Sequence, residues 1–192
     1  MNRTQARRAA IERAREFLAR QPLFLDTETT GMDEQAEIVE IAIVDHDGQP
    51  LLSSLVKPHG RIPADATALH GIDAHMVQDA PTWGELWPTV RAVLNGHSVG
   101  IYNADFDVRL IRQTNRLAGL AGQQAGVTAF CLMKLYAEYY GDWNASRASF
   151  RWQSLEAAGR QCAIALPNAH RAQADALLAR AVLLHMAAQA ES

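Results

Sequence analysis

The chain has 192 residues, of which 48% are hydrophobic, a length and composition that suit a single domain with a buried core. Its formal net charge is −3, which excludes the strongly basic balance of a protein that coats duplex DNA, so any nucleic-acid contact should be local. It has no apolar run long enough to span a bilayer, no recognisable secretory leader and only two cysteines, and we therefore expect a cytoplasmic protein.

The first predicted element is a helix from Thr4 to Ala19, which we treat as an appendage (residues 1–20) on a single domain (residues 21–192). Its apolar residues form one stripe and its arginines lie mostly elsewhere. This pattern favours a solvated arginine face on a helix that packs against the domain. The alternative interpretation is a basic arm that contacts nucleic acid.

Three strands are predicted next, at Pro22 to Thr27, Glu37 to Asp45 and Leu51 to Val56. The dipeptide Asp47-Gly48 is typical of a tight hairpin turn and predicts that the second and third strands are antiparallel.

Two acids lie at the end of the first strand. Asp26 and Glu28 are two residues apart, so they project from the same face of the strand. Adjacent carboxylates repel each other unless one takes a proton or the pair binds a cation, and carboxylate oxygens suit Mg²⁺ or Mn²⁺. The alternative is a strand that ends in a polar turn with both acids solvated.

The rest of the chain alternates helices with short strands. The predicted elements are a helix at Trp83–Leu94, a strand at Ser98–Tyr102, a helix at Asp105–Ala118, a short strand within Thr128–Met133, a helix at Leu132–Tyr140, a polar loop at Gly141–Ser149, a helix at Phe150–Arg160, a break at Leu166-Pro167 and a helix at Arg171–Ala188.

Three short motifs occur in order along this pattern. They are D-x-E (Asp26, Glu28), N-x-x-F-D (Asn103, Phe106, Asp107) and H-x-x-x-x-D (His170, Asp175). With these motifs, over about residues 22–186, the chain resembles the DEDDh branch of the DnaQ-like 3′→5′ exonucleases, in particular proofreading subunits such as epsilon of DNA polymerase III.

The resemblance implies a ribonuclease H-like α/β fold, in which a mixed central sheet of three antiparallel strands followed by parallel strands is flanked by helices. It implies hydrolysis at the 3′ ends of single-stranded DNA with release of nucleoside 5′-monophosphates, in proofreading or repair and with a polymerase or other replication protein as a partner. An exoribonuclease or oligoribonuclease with the same mechanism, and a non-catalytic polymerase-associated subunit, are the alternative functions.

The resemblance also implies a role for each motif residue. Two divalent ions, Mg²⁺ or Mn²⁺, clamp the attacking and leaving oxygens of a phosphodiester. By analogy, Asp26 bridges both ions, Glu28 and Asp175 complete one site, and Asp107 acts on the other through water. His170 is then the general base, a task that suits a side chain titrating near neutral pH.

The spacing of the third motif predicts where its two residues lie. Positions five apart on a regular helix differ by about 140° in direction, so His170 and Asp175 do not share a helical face. We therefore expect His170 in the loop or frayed first turn and Asp175 on the helix. In the second motif, Asp107 follows Phe106 as the family pattern requires, whereas Asp105 suits the first turn of a helix.

Five residues are predicted to bind the substrate. The backbone of Thr29, Thr30 and Gly31 would approach the 3′-terminal sugar. Phe106 would stack on the terminal base or, alternatively, pack in the core beneath the site. A His-Gly-Ile after the third strand recurs in the resembled family and places His70 near the terminal nucleotide, whereas the alternative is a helix end capped by the following glycine.

Two polar residues and one loop are harder to assign. Glu40 is either a substrate-edge residue or a strand acid, and Asn103 is expected to cap its helix. The segment from Trp143 to Trp152 interleaves aromatic residues with Arg147 and Arg151, a pattern typical of single-strand binding. The alternative there is packed aromatic residues with solvated arginines.

Overall fold

The computed structural model describes residues 3–165 and 170–190. In chain order its elements are α1 (Arg3–Ala19), β1 (Leu23–Thr29), β2 (Ile38–Val44), β3 (Pro50–Leu55), α2 (Ala64–His70), α3 (Trp83–Leu94), β4 (Ser98–Ile101), α4 (Ala104–Leu117), β5 (Thr128–Cys131), α5 (Leu132–Tyr140), β6 (Trp143–Asn144), β7 (Ser149–Phe150), α6 (Leu155–Gln161) and α7 (Ala172–Ala187).

A five-stranded sheet in the order β3-β2-β1-β4-β5 forms the centre of the molecule. The strand β1 is antiparallel to β2, and β2 is antiparallel to β3. The strand β4 runs parallel to β1, and β5 runs parallel to β4. The mixed sheet of three antiparallel strands followed by parallel strands is therefore confirmed. The strand β1 lies in its middle, so the acids at its end are surrounded by several other elements.

The two faces of the sheet carry different helices because side chains alternate along β1. Phe24 packs on one face with residues of α1, α5 and α7. Leu23 and Leu25 pack on the other face with residues of α3 and α4. The same alternation places Asp26 and Glu28 on the α7 side and Thr27 on the α4 side.

The helix α1 packs against α5 and α7, with Ala6, Ala10, Ile11 and Ala14 buried. Three of its arginines bond the carboxyl ends of those two helices, where backbone carbonyls lack partners. The donors and acceptors are Arg3 to the Tyr140 carbonyl (3.3 Å), Arg7 to the Tyr139 carbonyl (3.0 Å) and Arg15 to the Ala187 and Gln189 carbonyls (3.0 and 2.8 Å). The helix packs against the domain as expected, and Arg3 and Arg15 are exposed as expected, whereas Arg7 is partly buried.

The segment between the second and third motifs differs from the predicted loop and helix. Residues 141–149 are not a simple loop, because β6 and β7 form a hairpin in which Trp143 pairs with Phe150. The predicted helix from Phe150 begins only at Leu155. The reason is Ser154, whose hydroxyl accepts a hydrogen bond from the Ala157 N–H (3.1 Å) and so fixes the start of α6. The predicted break at Leu166-Pro167 lies outside the described residues.

Across residues 3–165 and 170–190, every helix is too short or too polar to cross a bilayer. Cys131 and Cys162 are both free thiols, the first partly exposed and the second buried.

Candidate active site

The site is built at the end of β1, where the strand presents two acids to α7. Asp26 lies opposite Ala42 and Glu28 opposite Glu40 in the pairing with β2. Asp175, in the first turn of α7, faces them. Single carboxylate oxygens of Asp26, Glu28 and Asp175 lie within 4.8 Å of one another. The expectation that the two strand acids share a face is thus confirmed, and α7 adds a third acid to them.

A fourth acid approaches from the opposite face of the sheet. Asp107, in the first turn of α4, is only 3% exposed, and its Oδ1 accepts a hydrogen bond from the Thr27 hydroxyl (2.8 Å). Asp105 instead points to solvent and pairs with Lys134 (2.6 Å). Of the two candidate acids in this motif, only Asp107 therefore lines the cleft.

Burial and mutual repulsion make these carboxylates hard to ionise together. Burial raises the pKa of Asp26 well above its ordinary value, and the nearby charge of Asp107 adds to the effect. Burial, and next the charge of Asp175, raise the pKa of Glu28 to about 8. Burial also raises the pKa of Asp107 and of Asp175. Such repulsion is relieved by protons or by a cation.

The donor set fits a divalent metal ion. Three carboxylates have oxygens close enough together to contact one cation, and hard oxygen ligands of this kind suit Mg²⁺ or Mn²⁺. The three residues that would hold it are Asp26, Glu28 and Asp175. Asp107 lies in the same cleft but outside this group of three.

His170 lies beside the acids, two residues before the start of α7. Its backbone has a φ of 62°, in the left-handed region, and its N–H donates to Asp175 Oδ2 (3.2 Å). Its side chain is half-buried and lines the cleft. The spacing argument is confirmed in its structural part, since His170 precedes the helix that carries Asp175.

An ion pair that the sequence did not reveal fixes the start of α7. Glu40 is 4% exposed, and the Arg171 guanidinium donates to both of its carboxylate oxygens (2.6 to 3.2 Å). The Ala172 N–H donates to Glu40 as well (2.9 Å). Glu40 is therefore a strand acid that holds the residues directly after His170. The only signal of this ion pair in the sequence was an acid, Glu40, within the second predicted strand.

The acids and His170 line a cleft of about 360 Å³. Its opposite wall comes from residues 154–156 at the start of α6. The Tyr102 hydroxyl donates to the carbonyls of Gln153 (3.1 Å) and Ser154 (3.2 Å), so the end of β4 holds this wall in place. This wall was not predicted from the sequence, because its residues belong to none of the three motifs.

The residues after the acid pair lie next to the cleft rather than in its lining. Thr29 donates its hydroxyl to the Gly31 carbonyl (2.7 Å), and Thr30 accepts the Glu37 N–H at its hydroxyl (2.9 Å). A Cβ at Gly31 would meet nothing within 4 Å, so this backbone is open on one side.

His70 is buried behind that segment, with 4% exposure. Its Nδ1 accepts the Ile72 N–H (3.0 Å), which leaves Nε2 to donate to the Thr29 carbonyl (3.2 Å). Burial lowers the pKa of His70, in keeping with a neutral ring. Gly71 caps α2 with a φ of 74°, as the alternative interpretation predicts. Both ring nitrogens of His70 are thus bonded to backbone groups.

Asn103 and Phe106 lie at the N-terminal end of α4, and both line the cleft. Phe106 is partly buried against the core beneath the sheet, with the Arg109 guanidinium 5.2 Å from its ring centre. Asn103 occupies the N-cap position, but its side chain makes no capping hydrogen bond within the described chain. The expectation that Asn103 caps α4 is wrong, since its carbonyl alone accepts the Phe106 N–H (2.9 Å).

A family model described as an exonuclease, RNase_T, matches residues 23–183. An uncharacterised exonuclease, CP81, of Escherichia phage 186 is 43% identical over 171 residues, which cover 85% of this chain and 87% of the phage protein. A DNA polymerase III subunit epsilon-like protein of Rhodobacter capsulatus is 35% identical over 101 residues, covering 49% of this chain but only 14% of that protein. Among solved structures, exonuclease X in complex with 5′ overhanging duplex DNA has a TM-score of 0.65 and 27% identity, covering 85% of this chain and 89% of that one.

Proposed function

The chain belongs to the RNase_T exonuclease family, and we propose that it is a metal-dependent 3′→5′ exonuclease that removes nucleoside 5′-monophosphates from single-stranded DNA. The observation that carries this proposal is the convergence of four carboxylates and one histidine on a single cleft, from three separate parts of the chain. They are Asp26, Glu28, Asp107, His170 and Asp175.

The carboxylates suit the binding of two divalent ions, Mg²⁺ or Mn²⁺. Such ions, when bound, stabilise the charge on the attacking and leaving oxygens of an in-line displacement at phosphorus. Asp26, Glu28 and Asp175 would hold one ion, and Asp107 would act on the other together with Asp26. Thr27 keeps the Asp107 carboxylate aimed at the cleft through its 2.8 Å hydrogen bond.

His170 accepts the proton of the attacking water. Its place before α7, outside regular secondary structure, lets the imidazole adjust when substrate enters, while the N–H bond to Asp175 keeps it beside the acids. The segment of Thr29, Thr30 and Gly31, which is open at Gly31, borders the 3′-terminal sugar, and Phe106 contacts the terminal base. His70 supports the segment of Thr29, Thr30 and Gly31 by donating a hydrogen bond to the Thr29 carbonyl.

The relatives support a proposal for the setting of the reaction. Similarity to a polymerase III epsilon-like protein supports a role in DNA replication or repair, with a polymerase or another replication protein as a partner. Two free thiols are compatible with the reducing cytoplasm as the compartment. Residues 21–192 serve as the exonuclease domain, to which residues 1–20 add the helix α1.

Digestion of 5′-labelled substrates tests the proposal. Single-stranded DNA should be shortened stepwise with Mg²⁺ and stay intact with chelator, whereas blunt duplex DNA should be degraded more slowly. Single-stranded RNA of the same sequence is the matched comparison, because a site that prefers RNA contacts the 2′-hydroxyl. Faster loss of RNA than of DNA would assign the same mechanism to an exoribonuclease, and an inert protein with Mg²⁺ and Mn²⁺ would overturn the proposal.

A further inference from the structure

The β6–β7 hairpin exposes two of the four tryptophans of the chain. Trp143 is 50% exposed and Trp152 is 64% exposed, whereas Trp83 and Trp87 are each 1% exposed in the core. Large aromatic side chains contribute much binding energy where they contact a partner, so two exposed tryptophans close together indicate a contact surface. The alternative interpretation, in which Trp152 packs in the core, is wrong.

These aromatic residues form a row on one side of the hairpin. Trp143 and Phe150 are paired across the two strands, and their rings meet edge to face with centres 5.1 Å apart. The Arg151 N–H donates to the Asp142 carbonyl (2.8 Å), so the pairing continues past β7. If the backbone stays extended after Phe150, the alternation of side chains predicts that Trp152 lies on the same side as Phe150.

The row of aromatic side chains ends close to the cleft. Trp152 is two residues before Ser154, which lines the cleft wall, and two extended residues span at most about 7 Å. The Tyr102 hydroxyl fixes this junction through the carbonyls of Gln153 and Ser154. The aromatic row therefore has a fixed place relative to the acids, although it lies outside the cleft lining.

The hairpin is also locally basic in an acidic chain. Residues 141–154 contain two arginines against one aspartate, while the whole chain carries a net charge of −3. The exposed Arg147 guanidinium has no hydrogen-bond or ion-pair partner among the residues that the structure describes. Arg151 lies 3.6 Å from Asp142, a solvent-exposed pair.

We propose that the β6–β7 hairpin is a track for single-stranded nucleic acid, on which Trp143 and Trp152 stack bases upstream of the 3′ end and Arg147 contacts a phosphate. The inference rests on the proposed function, since it names how that site holds a strand beyond its last nucleotide. Stacking on aromatic side chains beside basic groups holds single strands without reading their sequence. Bound bases replace water on both tryptophans, and the phosphate pairs with the free arginine.

Tryptophan fluorescence tests the track without catalysis. In chelator, where no strand is hydrolysed, a 20-nucleotide oligothymidylate should quench the fluorescence of the wild-type protein, since stacking affects only the two exposed tryptophans. The Trp143→Phe/Trp152→Phe variant should bind the labelled strand with similar affinity, measured by anisotropy, yet show no quenching. Quenching that persists in this variant would place the strand elsewhere and overturn the proposal.

Alanine variants measure how much the track contributes. Trp143→Ala and Trp152→Ala should each weaken the binding of the oligothymidylate by roughly 5- to 150-fold, the range seen when a stacking residue is removed. Arg147→Ala should reduce the slope of log affinity against log salt by about 0.7. Arg91→Ala, an exposed arginine on α3, and Leu51→Ala, an exposed apolar residue on β3, are the matched controls and should leave both quantities unchanged.

Turnover separates failure of the track from failure of the proposed function. With Mg²⁺, the tryptophan-to-alanine variants should raise KM for the 20-mer and leave hydrolysis of a small chromogenic nucleotide ester unchanged. Wild-type protein that degrades DNA, with alanine variants of unaltered affinity and KM, would overturn the track alone and leave the hairpin to a protein partner. A wild-type protein that hydrolyses neither substrate would overturn the proposed function.

Discussion

Arg171 donates to both carboxylate oxygens of Glu40, at distances from 2.6 to 3.2 Å, and so joins α7 to the strand next to β1. Glu40 lies opposite Glu28 in the sheet, and Arg171 directly follows His170. The pair therefore connects the strand that carries two acids to the segment that carries the histidine. We infer that it keeps His170 in reach of the acid cluster without contacting the substrate itself.

Replacing Glu40 with Gln should lower kcat and leave KM nearly unchanged, because the histidine loses its fixed position while the cleft keeps its shape. A misplacement of about 1 Å can cost on the order of 10²-fold in rate, which sets the upper limit. Glu37→Gln is the matched control, since Glu37 is a similarly buried acid that bonds His59 and Gly60 instead. Equal kcat values for the two variants would argue against a positioning role.

Loss of Arg171 should lower the stability of the protein more than loss of the Glu40 charge does. Arg171→Ala leaves Glu40 buried without its cation, whereas Glu40→Gln leaves Arg171 free to face solvent, since its side chain is 42% exposed. Removing one partner of a pair is most costly when the remaining charge is buried. Thermal unfolding should therefore show a lower Tm for Arg171→Ala than for Glu40→Gln, and the reverse order would contradict the burial argument.

Asp26→Ala should abolish nuclease activity and raise the Tm of the metal-free protein. The variant would lose one of the proposed metal ligands, and it also removes a carboxylate whose pKa is raised well above its ordinary value by burial and next by the charge of Asp107. Differential scanning calorimetry in chelator measures the second effect, and digestion of single-stranded DNA with Mg²⁺ measures the first. Wild-type turnover in this variant would show that the metal cluster is wrongly assigned.

Metal-free stability should fall as the pH rises from about 4.5 to about 8. Glu28 has a pKa of about 8 in the folded protein against an ordinary value of 4.5, so between these values the folded state holds a proton that the unfolded state has lost. Stabilisation from this proton is complete below pH 4.5 and is lost as the pH passes the folded pKa. Added Mg²⁺ should reverse the trend, because metal binding requires the ionised acid.

Comparison with Glu28→Gln isolates this contribution. The buried His70 has a lowered pKa, so it makes stability rise with pH up to about 6.5 and works against the effect of the acids. Both proteins contain His70, and the difference between their Tm curves therefore reports the acid. A difference that does not change between pH 5 and 8 would contradict the assigned shift.

His170→Ala should lower kcat by roughly 10²- to 10⁴-fold, the usual effect of losing a general base. The imidazole is not among the three side chains grouped for metal binding, so the rise in Tm on adding Mg²⁺ should be preserved. His70→Ala offers a contrast, because His70 contacts backbone groups and should mainly affect stability. A full loss of the Mg²⁺ effect in His170→Ala would instead make His170 part of the metal site.

Short-range pattern was enough to predict the first three strands and the shared face of Asp26 and Glu28, because alternation along β1 decides which side chains meet. The parallel strands and the other two acids were predicted from the family resemblance. The helices α3 and α5 begin and end at the predicted residues for the same reason, since their apolar periodicity and caps are local. The choice of Asp107 over Asp105 needed the family pattern, and burial beside Thr27 explains it afterwards.

The features that were not predicted depend on contacts between distant residues. Glu40 and Arg171 are 131 positions apart, so no spacing rule joins them. The Tyr102 bond to the Gln153 carbonyl joins residues 51 positions apart. The hairpin was missed because its strands are two residues long, too short for an alternating pattern to be visible. Ser154 was a local signal for the start of α6 that could have been used.

The polarity of cleavage tests the central claim most directly. Linear single-stranded DNA, the same strand with a bulky 3′ block, and circular single-stranded DNA are incubated with Mg²⁺, and the products are separated by chromatography. The account predicts nucleoside 5′-monophosphates from the unblocked linear strand only, and none from any of the three with Asp26→Ala. Release of mononucleotides from the blocked strand, or cleavage of the circle by the wild-type protein, would contradict it.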